Sequence, residues 1–338
     1  MQTYSSPIQR LTVDQSIRRA AYEDLDKHGS STSRGIAGVH GFLASYLFQR
    51  GFTILDQRRA IEGESMTLPW GSYSAYDVTA AQKMDCEDPA QVSKAAAALA
   101  TFHKLTAAYT HPHNTQESFV QEFLQRLEEL QMDLKSLDKS SMDLMSGSMQ
   151  LFKDSLPRVD GLVSDLSYET LPRLFIHGSY RCSNILFQDG EIVRIPNLER
   201  SRYETRALDV AIALAELTRS VYDAVYLESI NTFFSSYDNI LSLERAEKEA
   251  LPALLMAREA YRALRDIRRI PKTQDQRRKH LQAGKFRRHV SRLDWLKENQ
   301  EWLQEIFRGQ EREDETCSAL RVEARSGRED VQVFQEAA

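Results

Sequence analysis

Residues 174–211 read LFIHGSYRCSNILFQDGEIVRIPNLERSRYETRALDVA, and within them His177, Ser179, Asn184, Asn197, Glu199 and Asp209 carry side chains able to do chemistry. Phosphoryl transfer from a magnesium nucleotide needs a group that takes or orients the proton of the attacking hydroxyl and hard oxygen ligands for the metal. It also needs a cation on the phosphates and a loop over them. Asn184, Asn197 and Glu199 are oxygen donors of that kind. Ser179 is a neutral alcohol and a poor base near pH 7. The segment therefore raises one question: do neutral groups here do what carboxylates normally do?

The order and spacing of HGSYRCSN, of NLER thirteen residues after its asparagine, and of RALDVA resemble the catalytic loop, metal-binding segment and following helix of the aminoglycoside phosphotransferase superfamily. That superfamily includes choline, homoserine and spore-coat-associated kinase-like proteins. Its usual pattern is HGD, four residues and N, then a strand ending in IDF or IDW with an acidic residue, then an LD pair opening a helix. His177 and Gly178 match the start of the loop, Asn184 its metal-binding asparagine, Ile192 to Pro196 the strand, and Leu208-Asp209 the helix opening. The resemblance implies an α+β, protein-kinase-like fold with a reduced N-terminal lobe and a mainly helical C-terminal lobe. It also implies that Asp209 and Gly178 are structural, the Asp209 carboxylate bracing the loop.

Two departures bear on activity. Ser179 stands where the family has the base aspartate, so general-base help of roughly 10²- to 10⁴-fold is expected to be lost. Asn197 stands where the family has its magnesium-ligating aspartate, replacing an anionic oxygen with a neutral amide. Glu199 aligns with a position that is often acidic in any case. Upstream, Lys27 is the only lysine before Lys83 and sits in EDLDKHG, which does not read as a strand. The candidate pairing helix, STSRGIAGVHGFLASYLFQRGF, has no acidic residue, and its Gly35, Gly38 and Gly41 suit close packing better than phosphate cradling. Base, metal carboxylate, strand lysine and helix glutamate are all missing together.

These residues must be held by elements whose periodicity is legible. Ile36 to Leu47 form an amphipathic pattern closed by Gly51, and residues 52–80 suggest two or three short strands. Asp88-Pro89 is a helix start running to about Leu105. Residues 117–135 and 141–168 are helical, joined by KSLDKSS. LFIH, NILFQ and EIVRI are brief strands, the last two turning at Asp189-Gly190. Helical patterning then runs from Ala207 to Phe307, interrupted near Tyr237 and Pro271. Trp295 and Trp302, seven residues apart, are expected to pack in the core of the last helix. The chain divides into a lobe at 1–80, a helical lobe at 81–307 and a polar tail at 308–338.

Composition excludes several classes. A net charge of −5 over 338 residues argues against a surface built to coat nucleic acid. Cys86, Cys182 and Cys317 show neither disulfide nor zinc spacing, and no apolar run is long enough for a signal peptide or a membrane span. A cytoplasmic protein is expected. Cys182 reads as a buried thiol, and His111 and His113 as loop residues with no third metal ligand. Residues 258–292 hold thirteen arginines and lysines against Glu259, Asp266 and Asp275, which is read as a solvated, partly disordered helix connection balanced by acids elsewhere.

The reading is a kinase-fold protein that has lost phosphotransfer and acts by binding a protein or small-molecule ligand, with no cofactor expected. In the alternative, an active small-molecule phosphotransferase uses Mg-ATP through Asn184 and Glu199. A third reading, binding of nucleic acid or another anionic partner through 258–292, is the least favoured.

Overall fold

The structure is a computed structural model that describes residues 43, 46, 47, 49–52, 60–68, 71–76, 81–109, 118–217, 224–270 and 275–309. Lys27, Gly35, Gly38, Gly41, His111, His113 and Cys317, and with them most of the 1–80 and 308–338 segments, lie outside the described residues.

Leu43, Tyr46, Leu47 and Gln49 are helical, and the backbone turns out of the helix at Gly51, whose φ of +80° favours glycine. The strands expected between residues 52 and 80 are β1 (Ala60–Leu68) and β2 (Gly71–Tyr76), an antiparallel pair. A second sheet has the order β3 (Gln82–Lys83), β5 (Leu186–Gln188), β6 (Glu191–Arg194). The β5–β6 hairpin turns at Asp189 (φ 53°) and Gly190 (φ 74°), both left-handed, as a tight primed turn requires. The run LFIH does not join this sheet. It forms β4 (Arg173–Ile176), paired antiparallel with β7 (Arg202–Thr205), with Ile176 opposite Arg202. The charged sequence RYET hid β7: its Glu204 is buried because the carboxylate accepts the Phe119 backbone N–H at 2.8 Å, serving a helix start and not solvent.

Eight helices complete the described chain: α1 (Pro89–Thr106), α2 (Phe119–Lys135), α3 (Lys139–Ser164), α4 (Arg206–Leu217), α5 (Ala224–Asp238), α6 (Arg245–Arg269), α7 (Gln276–Glu298) and α8 (Gln300–Arg308). Their starts follow local chemistry. Asp88 accepts the N–H groups of Ala90 and Gln91 ahead of α1, and Ser118 and Gln121 form a reciprocal capping box on α2. The C-terminal helical pattern breaks at Asn299, so Trp295 and Trp302 belong to two helices. Their rings meet edge to face at 6.3 Å, partly buried against the core.

α6 is the central helix, packed against α2, α3, α4, α7 and α8. α4 is buried on every side, which explains its near-continuous apolar sequence ALDVAIALAEL. Leu99, Phe102, Phe123, Phe152 and Phe286 are among the side chains removed from water, each contributing about 1.5–3 kcal/mol. No helix among the described residues is long and apolar enough to cross a membrane.

Candidate functional site

β4 ends at Ile176 and hands the chain directly to His177; β7, its partner, runs straight into α4 at Arg206. This pairing lays the loop after β4 against the 3-10 turn Leu198–Arg200 that precedes β7. Gly178 makes the contact possible. Its φ is +71°, and a Cβ there would stand 2.3 Å from the Arg200 carbonyl oxygen.

Asp209, fully buried in the first turn of α4, holds the loop. Its Oδ2 accepts the His177 backbone N–H at 2.7 Å and its Oδ1 that of Gly178 at 3.0 Å. The same Oδ2 lies 3.1 Å from His103 Nε2 on α1, and His103 Nδ1 lies 2.7 Å from the Tyr237 hydroxyl on α5. The Tyr237 and Tyr180 phenols are both pushed well above the ordinary tyrosine range, chiefly by burial. Both therefore stay neutral hydroxyls. Tyr180 points into the core and donates to Ala95 O at 2.7 Å.

His177 is buried between Phe102 and Tyr180, edge to face with each. Its Nδ1 accepts the Ser179 backbone N–H at 3.3 Å, so in the neutral ring the proton sits on Nε2. Ser179 is 5% exposed. Its Oγ accepts from Asn184 Nδ2 at 3.1 Å and from Arg181 Nη2 at 3.2 Å, and Asn184 Nδ2 also donates to Ser179 O at 2.9 Å. Cys182 and Asn184 bound a 3-10 turn, with the Cys182 thiol buried.

Asn197 has φ 72° and ψ 35°, a left-handed conformation that asparagine adopts more readily than most residues. It leads the turn containing Glu199, and its carbonyl accepts the Arg200 N–H at 3.0 Å. The structure thus joins His177, Gly178, Ser179, Asn184 and Asp209 by hydrogen bonds. It does not bond Asn197 to Asn184 or Ser179. Among the described residues no three of His, Cys, Asp and Glu cluster to hold a metal ion.

His103, Tyr180, Arg181 and Tyr237 belong to this constellation although sequence reasoning passed over them as site residues. His103 carried a signal, a lone histidine within the alanine-rich ALATFHKL. The reading of 258–292 as solvated fits the exposed Arg269, Arg277, Arg278, Arg287 and Arg288 and is corrected for its buried bases. Arg258, Arg262, Lys279 and Arg292 are buried where α6 packs on α7, because acids on α4 and α6 and Asp138 take their charges, and the buried His289 hydrogen-bonds Glu259.

Comparison with known proteins gives one family match and three likenesses of fold. The phosphotransferase enzyme family model (APH) matches residues 58–240. An aminoglycoside phosphotransferase from Alicyclobacillus acidocaldarius superposes with a TM-score of 0.60 at 15% identity, over 80% of this chain and 84% of that one. A choline/ethanolamine kinase family protein from Mesorhizobium loti does so with a TM-score of 0.53 at 16% identity, over 86% and 83%. An ethanolamine kinase from Plasmodium vivax gives 0.50 at 14% identity, over 81% and 75%. No curated protein matches the sequence.

Proposed function

Because the chain belongs to the phosphotransferase enzyme family, whose model matches more than half of its 338 residues, we propose that it keeps the family's kinase-like fold, has lost phosphoryl transfer, and acts by binding a ligand or protein partner. The observation that carries this reading is the state of Ser179. At the position of the family's base the chain has a hydroxyl whose oxygen already accepts from Asn184 and from the Arg181 guanidinium. A cation on that oxygen opposes its taking a proton.

The residues present do not fit a magnesium nucleotide. A divalent hard cation favours anionic oxygens, and the loop and the head of the turn offer the neutral amides of Asn184 and Asn197, which leaves Glu199 as the one carboxylate of the turn. Asp209, the nearby carboxylate, is enclosed at 0% exposure and committed to His103, His177 and Gly178. β1 and β2, AIEGESMTL and GSYSAY, contain no lysine to meet phosphates. Lys83 is exposed on β3, and Lys94 donates to Gly190 O and Glu191. What remains is a loop held in the shape of a catalytic loop without its charges, suited to recognition.

Isothermal titration of the full chain with ATP, with and without magnesium, tests the reading. No magnesium-dependent binding is expected. Micromolar, magnesium-dependent binding together with ATP consumption in the presence of hydroxylated small molecules would overturn it.

A further inference from the structure

We propose that the groove between α2 and α3 is the contact surface of a two-fold dimer, in which a second copy of this chain lays its own α3 antiparallel across the first. The groove shares no residue with the loop at Ser179, and the contact goes beyond the binding role proposed above.

α2 and α3 both pack on α6 and leave between them a groove of about 470 Å³. Leu127, Leu130 and Leu134 of α2 line one wall, at the three- and four-residue spacing of a single helix face. The half-buried Leu156 and the exposed Pro157 line the other. Lys153 and Asp160 stand on the same face of α3, one on each side of that apolar pair, and both are exposed. Along α3 the groove therefore runs from a cation through two apolar side chains to an anion.

Neither charge is used inside one copy. Lys153 and Asp160 have no hydrogen-bond or ion-pair partner among the described residues, whereas their neighbours Asp154 and Arg158 are taken by Gln150 and Gln300. Seven residues apart, the two charges are separated by about 10.5 Å along the helix axis, beyond the spacings at which side chains of one helix pair. A two-fold axis crossing α3 between Leu156 and Pro157 changes this. In antiparallel register it sets Lys153 of one copy opposite Asp160 of the other, and the reverse by symmetry. The same register sets Leu156 opposite Pro157. One axis thus pairs both charges and covers both apolar side chains, as a self-complementary contact requires.

Gly161 suits the close approach of a second helix. It lies four residues beyond Pro157 and eight beyond Lys153, so it continues the ridge that they form. Glycine weakens a helix interior, and no atom lies within 4 Å of where a Cβ would stand, so packing within one copy does not call for it. A backbone crossing there does. A small ligand does not span two charges held two helical turns apart, and a helix laid along the groove does. A second copy is singled out among helices because it carries the complementary pair at the same spacing by identity.

Sedimentation velocity of the full chain from about 1 to about 200 µM tests the contact. A reversible monomer-dimer equilibrium with a micromolar midpoint is expected, because the groove is small for an interface, and added salt should weaken it. Lys153→Glu sets two like-charge pairs across the axis and should weaken the dimer about tenfold or more. Asp160→Lys should do the same. The double variant Lys153→Glu/Asp160→Lys exchanges the partners and should restore the wild-type midpoint. Both positions are exposed, so the variants keep the fold, which far-UV circular dichroism checks. A wild type that stays monomeric throughout would overturn the proposal and leave the groove to residues 310–338 or to a different protein. Single variants that dimerise as tightly as the wild type, or a double variant no tighter than the singles, would also overturn it. None of these outcomes bears on the titration with Mg-ATP, so the two conclusions fail independently.

Discussion

The Asp209 carboxylate accepts the backbone N–H of His177 at 2.7 Å across 32 residues of sequence, joining the first turn of α4 to the loop after β4. Asp209→Asn would set its N–H₂ against the Gly178 N–H, or, with the amide turned over, against the His177 N–H and His103 Nε2. We expect a loss of about 2–4 kcal/mol, read as a lower urea midpoint at unchanged slope. A shift below about 0.5 kcal/mol would show that the loop is held by other contacts.

Gly178→Ala tests the contact between loop and turn. The added methyl meets the Arg200 carbonyl oxygen at 2.3 Å on a backbone with φ +71°, so strain and clash together should cost more than about 2 kcal/mol. Denaturant unfolding measures it. Gly190→Ala, also at positive φ but with no atom within 4 Å of the new methyl, is the control and should cost less.

Ser179→Asp should be tolerated or stabilising, because the new carboxylate meets two donors, Asn184 Nδ2 and Arg181 Nη2. Paired with Asn197→Asp, it should still yield no phosphotransfer, since neither change supplies a strand lysine or a helix glutamate. Product analysis after incubation with Mg-ATP decides the point. Turnover in the double variant would mean that only two residues separate this chain from an active enzyme.

Glu259 sets an acid-side dependence of stability. Burial pushes its carboxyl up, but the His289 hydrogen bond and the charges of His289, Arg292 and Arg258 outweigh this and hold it at about 2, against an ordinary 4.5. A depressed carboxylate stabilises fully above the unfolded value and loses that contribution as pH falls toward the folded one. Between pH 7 and pH 3 the stability gap separating the wild type from Glu259→Gln should narrow by about 2 kcal/mol. Urea midpoints at the two pH values check the direction, and a widening gap would contradict it.

Much of the scaffold was legible because its signals are local. Asp88-Pro89 starts α1, Asp189-Gly190 turns the hairpin, and the spacing from His177 to Asp209 matches hydrogen bonds that the fold makes. What escaped was non-local. β7 was hidden because the burial of Glu204 depends on a helix start 85 residues away. The basic stretch from 258 to 292 read as solvated because Glu216 and Asp138, which take two of its charges, lie far off in sequence. The hydrogen bond from Arg181 Nη2 to Ser179 Oγ depends on the loop's conformation, which no periodicity or cap encodes. Periodicity and caps report on one element at a time, and ion pairs between elements leave no trace in either.

Tyr180, pinned through its hydroxyl to Ala95 on α1, has a consequence for kinetics. A loop with a core side chain at its centre opens only when the core opens, so the amides of residues 177–180 should exchange with deuterium as slowly as those of α1 and α4. A ligand docking on this loop would meet a backbone held in one shape and forfeit little chain entropy. Its association rate should therefore be set by diffusion and electrostatic attraction, with no slow conformational phase.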